Sequence, residues 1–453
     1  MLSMIVLTVA GVLALFLGFT KTKSLILPVA MLGVLASAAA YYFYQSLWGE
    51  WLLGMMGTFG SPSVFVGLLL ACTFVILPFL NVYKLRGGGE LGDFTGIILF
   101  SVIGGMMMVS HQDLMILFLG IEILSIAMYI LAGADRRVIQ SNEAAIKYFI
   151  MGAFASAIFL FGVGLYYVST GSFKIFDVKI IAPELYSISI LVLFAGLAFK
   201  LALAPFHFWA PDVYQGAPTI FTAVMATLVK IAGFGALFQL FRYHAGFVSE
   251  WIYWMMILLA LLSMLIGNIM AFSQTSVKRL LSYSGIVQAG FILIGFLHTR
   301  IENTWMVAYY LVAYVLASLA SFFVIYFVEN KKGSDDIGEF KGLYYQNPVL
   351  AVVFTIALVS FGGVPLTAGF MAKLFVLNHA AGFGSPALVL VSLVLAVASM
   401  YYYFKLINQF YTSDESGVKS WDISWGYKGM LIVLSVLTLF LGLYPYGIYT
   451  WIS

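Results

Sequence analysis

The chain has 453 residues, of which 63% are hydrophobic and only 9% are charged, and its formal net charge is +3. A mean hydropathy of +1.03 excludes a soluble domain of this length and indicates a polytopic membrane protein. The single cysteine, Cys72, excludes an internal disulfide, a cysteine-ligated cluster and a CxxC redox pair.

The apolar runs predict an all-α polytopic membrane protein with about fourteen transmembrane helices, because a spanning helix needs about 20 mostly apolar residues. The predicted spans lie near residues 2–20, 24–44, 62–83, 92–109, 112–133, 142–169, 185–209, 219–241, 251–271, 277–298, 303–328, 348–378, 385–411 and 427–450. No positive region precedes the first run, and Lys21 and Lys23 follow it. We therefore interpret it as a retained span rather than a cleaved signal peptide.

The basic residues between the spans predict the orientation of the chain. With the N-terminus outside, the loops assigned to the cytoplasm contain thirteen basic residues and the outer loops four. The thirteen are Lys21, Lys23, Lys84, Arg86, Arg136, Arg137, Lys278, Arg279, Lys331, Lys332, Lys341, Lys419 and Lys428. The four are Lys174, Lys179, Arg242 and Arg300. Positive residues favour the cytoplasmic side, so an even number of spans places both termini outside.

Helix breakers interrupt the seventh and twelfth predicted spans. The first stretch is AFKLALAPFHFWAPDVYQGAPT and the second is SFGGVPLTAGFMAKLF. Prolines are common in membrane helices, but paired interrupted helices in two halves of a chain indicate inverted repeats with an ion site at mid-membrane. We predict two inverted five-helix repeats, at 91–245 and 250–411, with a three-helix segment at 1–90 and a C-terminal helix at 427–453.

Four lysines and one glutamate lie inside the apolar runs: Lys147, Lys200, Lys230, Lys373 and Glu122. A charge at the bilayer centre costs at least ~3 kcal/mol, so such residues are rarely passive. One carboxylate cannot pair four ammonium groups. The pattern therefore predicts a path for a charged species. Lysine side chains can gain and lose protons, which indicates that the transported species is the proton.

Simpler interpretations stay open for three of the polar residues. Lys230 could extend its ammonium to the membrane surface, and Lys147 could be a surface partner of Glu143. His207 could be a histidine with satisfied hydrogen bonds in the core. The sequence has no phosphate-binding GxxxxGK[ST] loop, and its five histidines are scattered without metal-ligand spacing. We expect no metal and no bound cofactor in this chain, and no nucleic-acid partner.

Three segments carry a resemblance to a known family: SNEAAIKYFIMGAFASAIFLFG, GLAFKLALAPFHFWAPDVYQGAPT and GGVPLTAGFMAKLF. They resemble the antiporter-like subunits of bacterial proton-pumping NADH:quinone oxidoreductase (respiratory complex I), which are related to subunits of Mrp-type antiporters and membrane-bound hydrogenases. The resemblance covers roughly residues 60–410. Within the family the short chain is most similar to the subunit N type. A lysine at position 373, rather than a carboxylate, is unlike the subunit M type.

The resemblance implies roles for the buried charges. Glu122 resembles the family's glutamate on the fifth span, which partners the proton-handling lysine on the seventh, here Lys200. Lys147 resembles a lysine close to that pair. Lys230 resembles the connecting lysine of the central axis, and Lys373 resembles the terminal lysine of the outward half-channel.

Two further candidates follow from the same resemblance. His207 falls in the PFHFW motif after the first break. The chain departs from a common family pattern at Gln288, where many relatives carry a histidine. Glutamine does not titrate, so a relay there would need water or a neighbour such as Tyr283.

The family also implies the surroundings of the chain. It implies a bacterial inner membrane location with both termini periplasmic, and the neighbouring membrane subunits M, K and J as partners. FMN, iron–sulfur clusters and quinone are expected in other subunits, which would supply the driving energy. The alternatives are an Mrp-type cation/proton antiporter subunit, a hydrogenase-linked subunit and a non-conducting scaffold. A sodium site would favour clustered carboxylates, whereas Glu122 is nearly alone.

Overall fold

The structure is a computed structural model, and it describes residues 2–43, 61–83, 90–176, 178–244, 250–297, 304–382, 385–413 and 420–446. These residues form seventeen α-helices. The helices are α1 (Leu2–Gly18), α2 (Ile26–Phe43), α3 (Ser61–Ile76), α4 (Leu91–Ser110), α5 (Leu114–Ala132), α6 (Ile139–Thr170), α7 (Pro183–Lys200), α8 (Trp209–Gly216), α9 (Thr219–His244), α10 (Glu250–Phe272), α11 (Val277–Ile294), α12 (Thr304–Lys332), α13 (Leu343–Gln346), α14 (Pro348–Gly362), α15 (Ala368–Gly382), α16 (Pro386–Tyr411) and α17 (Trp425–Leu443).

The predicted fold class is confirmed: the chain is an all-α polytopic membrane protein. Twelve helical segments of the described chain are long and apolar enough to cross a membrane, and α1 and α14 are shorter apolar helices. Helices suit this environment because lipid offers no hydrogen bonds, so the backbone must satisfy its own. Four of the basic loop residues used for the orientation, Lys84, Arg86, Arg300 and Lys419, lie outside the described residues.

Both predicted helix breaks are confirmed. The seventh span consists of α7 and α8, separated by residues 201–208, and the twelfth consists of α14 and α15, separated by residues 363–367. Each break contains a non-glycine residue with positive φ, Ala202 at 53° and Leu366 at 76°. Such conformations persist where the surroundings enforce them, and they are common at functional sites.

The chain divides into two compact units. The first comprises Met1–Leu201, Gly216–Ile252 and Thr299–Ile301, and the second comprises Ala202–Gln215, Tyr253–His298 and Glu302–Ser453. The first unit therefore contains α1–α7 and α9. The second contains α8 and α11–α17 together with most of α10. The repeat boundaries given above stay a prediction.

Small residues bring the helices of the first unit together. The Ser3 and Ser37 hydroxyls lie 2.7 Å apart between α1 and α2. At Gly33 of α2, a Cβ atom would lie 2.3 Å from the Cβ of Ala10. Membrane helices use such residues because close backbone approach replaces the hydrophobic driving force that lipid removes.

The centre of each unit is a helix with almost no exposed surface. In the first unit the most apolar part of α9 is completely buried, and in the second unit that of α11 is 94% buried. Lys230 lies on α9 and Gln288 on α11. Polar side chains at these positions must therefore find their hydrogen-bond partners inside the protein.

Candidate functional site

Lys200 ends α7 in the first unit and is 4% exposed. Its ammonium donates to the Tyr129 hydroxyl on α5 at 3.1 Å and lies 5.5 Å from the centre of that ring. Met128, Tyr148 and Val229 are among the side chains that enclose it. The sequence did not identify Tyr129, which supplies both a hydroxyl acceptor and an aromatic face to the buried cation.

Glu122 shares a stripe of α5 with Ser125 and Tyr129, since the residues are spaced by three and four positions. The Oε1 atom of Glu122 is buried and has no hydrogen-bond partner among the described residues. The carboxylate acts electrostatically on Lys200. No direct ion pair joins them in the described chain, so Tyr129 is the direct partner of the lysine. A polar stripe at this spacing is the signal that could have revealed Tyr129.

Lys147 lies on α6 and forms an ion pair with Glu143, with Nζ 2.7 Å from Oε1. Its side chain is 42% exposed and that of Glu143 is 57% exposed. This is the surface partner that the sequence left open. Lys147 is therefore not enclosed in the way that Lys200 is.

Lys230 lies on α9 and is 3% exposed. Its ammonium donates to the Leu201 carbonyl oxygen at 2.9 Å, and Leu201 caps the C-terminal end of α7. The last carbonyls of a helix lack intrahelical donors, and this end carries a partial charge of about −0.5. Lys230 therefore does not extend to the surface, and the end of a broken helix serves as its counter-charge.

Lys373 lies on α15 in the second unit and has the same kind of partner. Its ammonium donates to the carbonyl oxygens of Phe361 at 2.8 Å and Gly362 at 3.1 Å, in the last turn of α14. It also lies 4.9 Å from the centre of the Phe291 ring. Gly363 ends this turn at φ 78°, and a Cβ there would lie 2.9 Å from the lysine Cδ, so this position suits glycine.

Gln288 joins the same turn of α14. Its amide nitrogen donates to the Phe361 carbonyl at 3.0 Å, and its amide oxygen accepts from the Tyr310 hydroxyl at 2.7 Å. The Tyr403 hydroxyl lies 3.4 Å from the amide nitrogen and 2.5 Å from the Ser284 hydroxyl. The described hydrogen-bond partners of Gln288 thus include two tyrosines, and Tyr283 is not one of them.

The two remaining candidates are buried as well. His207 is 4% exposed, stacks on Phe208 with ring centres 4.5 Å apart, and its Nδ1 has no hydrogen-bond partner in the described structure. Tyr283 lies on α11 and is 5% exposed. The structure places neither in a direct hydrogen bond with Lys200 or Lys373. Among the described residues no group of three or more His, Cys, Asp or Glu side chains could hold a metal ion.

The contacts place the three buried lysines in three separate groups. In the first unit, Lys200 and Tyr129 lie together, with Glu122 on the same stripe of α5 as Tyr129. Lys230 reaches the C-terminal cap of α7. In the second unit, Lys373 and Gln288 share one turn of α14. The described hydrogen bonds of these three ammonium groups thus go to neutral hydroxyl and carbonyl oxygens.

Comparison with known proteins gives a consistent result. A family model described as "NADH:quinone oxidoreductase/Mrp antiporter, TM" matches residues 111–399. The NADH-quinone oxidoreductase subunit N of Cytophaga hutchinsonii is 36% identical over 450 residues, which cover 98% of this chain and 97% of that protein.

Two solved structures are also similar. A chain in respiratory complex I of Thermus thermophilus is 31% identical with a TM-score of 0.82, covering 98% of this chain and 97% of that one. A chain in the Mrp complex of a Dietzia species is 20% identical with a TM-score of 0.79, covering 97% and 92%, which shows the fold alone. The chain therefore belongs to the family of transmembrane subunits shared by NADH:quinone oxidoreductases and Mrp antiporters.

Proposed function

We propose that the chain is an antiporter-like membrane subunit of an NADH:quinone oxidoreductase and moves protons through its buried lysines. The observation that carries the proposal is that Lys200, Lys230 and Lys373 are each at most 6% exposed and donate to the Tyr129 hydroxyl and to helix-end carbonyl oxygens. Burying a charge costs several kcal/mol unless it is compensated, so three such groups without a role would burden folding.

The partners of these lysines suit groups that gain and lose a proton. A carbonyl at a helix end carries a fraction of a charge, so it holds an ammonium less firmly than a full carboxylate would. After losing its proton, the amine still has N–H groups to donate to the same carbonyl. Both protonation states therefore fit the site, and a small movement of a neighbouring charge can shift the balance between them.

Glu122 is the movable charge in this proposal. Its unpartnered Oε1 can approach or leave the Lys200–Tyr129 pair, which changes how strongly Lys200 holds its proton. Lys230 and then Lys373 receive the proton, with water completing the path. Lys147, paired with Glu143 on the same helix, acts on this pair only through its charge. His207, inside the first break, and Tyr283, on α11, are further relay groups.

The driving energy comes from other subunits in this proposal. Redox chemistry at FMN, iron–sulfur clusters and quinone in those subunits powers the transport, and the chain itself binds none of them. The partners are the neighbouring antiporter-like subunit M and small subunits such as K and J. The location is the bacterial inner membrane with both termini periplasmic. The relatives at 36% identity favour this function over an Mrp-type antiporter, for which the likeness concerns the fold alone.

Proton pumping by the purified parent complex in liposomes tests the proposal, with Lys200→Ala compared with the wild type. Lys405→Ala is the matched control, because Lys405 is an exposed lysine on α16. We expect Lys200→Ala to lower pumping and coupled turnover together while the complex stays assembled, and Lys405→Ala to leave both unchanged. Normal pumping by an assembled Lys200→Ala complex would exclude Lys200 as a relay.

A further inference from the structure

A second buried polar cluster lies in the first unit, away from the lysines. His111 caps the C-terminal end of α4 and is fully buried, and His244 ends α9 and is 1% exposed. Helices α4 and α9 pack against each other: a Cβ at Gly235 of α9 would lie 2.6 Å from Val109, two residues before His111. None of the roles described above uses either of them. A pair of buried histidines inside a membrane protein is unusual and calls for hydrogen-bond partners.

The hydrogen bonds determine where the ring protons lie. The Nδ1 of His111 is 2.6 Å from the Met108 carbonyl oxygen, and the Nδ1 of His244 is 2.7 Å from the Leu240 carbonyl oxygen. A carbonyl only accepts, so each Nδ1 carries a hydrogen. In the neutral state each Nε2 is then a bare acceptor. That of His111 is buried and has no partner in the described part of the chain.

His244 has a different partner at Nε2, the Tyr166 hydroxyl at 3.2 Å. The same hydroxyl lies 3.0 Å from the Lys174 carbonyl oxygen. The hydroxyl has one hydrogen, so with neutral His244 it can serve the imidazole or the carbonyl, but not both. With a proton on Nε2, His244 donates to the hydroxyl oxygen and the hydroxyl donates to Lys174. All three hydrogen bonds are then made.

We propose that His244 is a proton-holding site, with the Tyr166 hydroxyl as the switch that turns when the proton arrives. The proton binds at Nε2 of His244, and the O–H of Tyr166 rotates from that nitrogen to the Lys174 carbonyl. Release reverses the rotation. His111, at the end of the neighbouring helix α4, offers a further acceptor at its Nε2 for an internal water molecule.

The surroundings suit a cation that comes and goes. Both histidines lie at helix C-termini, where the partial negative charge stabilises an imidazolium. An isolated antiparallel β-bridge pairs the backbones of Asp113 and Lys174 beside the cluster. Several other titratable or charged groups face the histidines or lie beside them. They are Tyr41 of α2, Asp113 before α5, Tyr166 of α6, Lys174 after α6, Tyr186 of α7, and Arg242 and Tyr243 of α9.

The position of the site suggests its use. His244 lies fourteen residues after Lys230 on α9, which is about 21 Å at 1.5 Å per residue. The positive-inside pattern predicts that this end of α9 faces the outer side. The site deepens the proposed function and rests on it for the direction of proton flow. The site would hold protons near the outer end of the first unit. The titration of the histidines can be measured without pumping, so it can be tested separately from the proposed function.

Infrared difference spectra of the purified parent complex over a pH series provide the first test. We expect the wild type to show an imidazole titration that is absent from His244→Gln and retained in His379→Gln. His379 is the control, because it is a histidine of the second unit whose Nε2 is bonded to the Leu297 carbonyl oxygen at 2.8 Å. Identical titrations in the wild type and in His244→Gln would overturn the proposal.

The pH dependence of proton pumping in liposomes provides the second test. Tyr166→Phe keeps the ring but removes the acceptor of the imidazolium, so the pumping profile should shift to lower pH. An unshifted profile in an assembled Tyr166→Phe complex would also overturn the proposal. This variant carries the test if His244→Gln fails to assemble. A Lys200→Ala complex that still pumps and keeps the histidine titration would exclude Lys200 from the proposed proton path and leave the histidine site standing.

Discussion

Gln288 and Lys373 donate hydrogen bonds to the same acceptor, the carbonyl oxygen of Phe361, at 3.0 and 2.8 Å. This carbonyl lies in the last turn of α14, where the helix leaves it without an intrahelical donor. A neutral amide and a buried ammonium thus share one carbonyl oxygen, which accepts both hydrogen bonds. The side chain at position 288 therefore helps to determine how firmly Lys373 is held.

The first prediction concerns Gln288→Leu. Leucine leaves the Tyr310 hydroxyl without its acceptor, at a cost of about 1–3 kcal/mol in the free energy of unfolding. It also releases the Phe361 carbonyl to Lys373, which should hold its proton more firmly and slow pumping. Thermal unfolding and proton pumping of the parent complex measure the two effects.

Gln288→His is the matched control for this prediction. Histidine can donate to the Phe361 carbonyl and accept from Tyr310. We expect assembly and pumping to be retained. If Gln288→Leu pumps as fast as the wild type, the amide does not influence Lys373.

The second prediction concerns Tyr129→Phe. The variant removes the hydroxyl that accepts the hydrogen bond of Lys200. Hydrogen bonds to charged groups contribute about 1.5–3 kcal/mol, so we expect coupled turnover to fall by roughly tenfold or more. Turnover of the parent complex in sealed liposomes, with and without an uncoupler, measures this loss. Full turnover would show that Lys200 works without Tyr129.

Gly152 offers an independent way to displace the same hydroxyl, and this is the third prediction. A Cβ at Gly152 would lie 1.9 Å from the Tyr129 hydroxyl oxygen, so Gly152→Ala must push it away from Lys200. Gly164→Ala on the same helix is the control, because no heavy atom lies within 4 Å of a Cβ there. We expect Gly152→Ala to resemble Tyr129→Phe in coupled turnover. Equal turnover in both glycine variants would mean that the helices adjust without moving Tyr129.

Sequence reasoning predicted the spans, the two breaks and the burial of Lys200, Lys230 and Lys373, because each depends on local composition. It could not predict which acceptors meet the lysines. The Leu201 and Phe361 carbonyls can accept from the lysines only because the helices end there. The type of residue does not show which backbone carbonyls lack an intrahelical donor.

The histidine pair was missed for a different reason. His111 and His244 are 133 positions apart in the sequence and end two helices, α4 and α9, that pack against each other. By contrast, the Glu122–Ser125–Tyr129 stripe has helical spacing and could have been found. Tyr129 was overlooked because aromatic residues make up 17% of the chain, so a single tyrosine does not stand out.

The fourth prediction concerns Arg279, which holds the short helix α8 in the second unit. Its guanidinium donates to Asp212 at 2.6 Å and to Gln215 at 3.2 Å, both on α8, and to Gln274 at 3.1 Å. A helix of eight residues is marginal by itself, so these bonds stabilise it after the break. Lysine cannot reproduce a forked guanidinium, so Arg279→Lys should loosen α8.

Hydrogen exchange measured by mass spectrometry on the parent complex reads this effect directly. Peptides covering 209–216 should exchange faster in Arg279→Lys than in the wild type, because the helix opens more often when its anchor has fewer bonds. Arg137→Lys is the control, since Arg137 is exposed in the connection between α5 and α6. Unchanged protection of these peptides in Arg279→Lys would show that the bonds from Ala204 to Ser263 and the packing of Tyr214 on Phe322 suffice to hold α8.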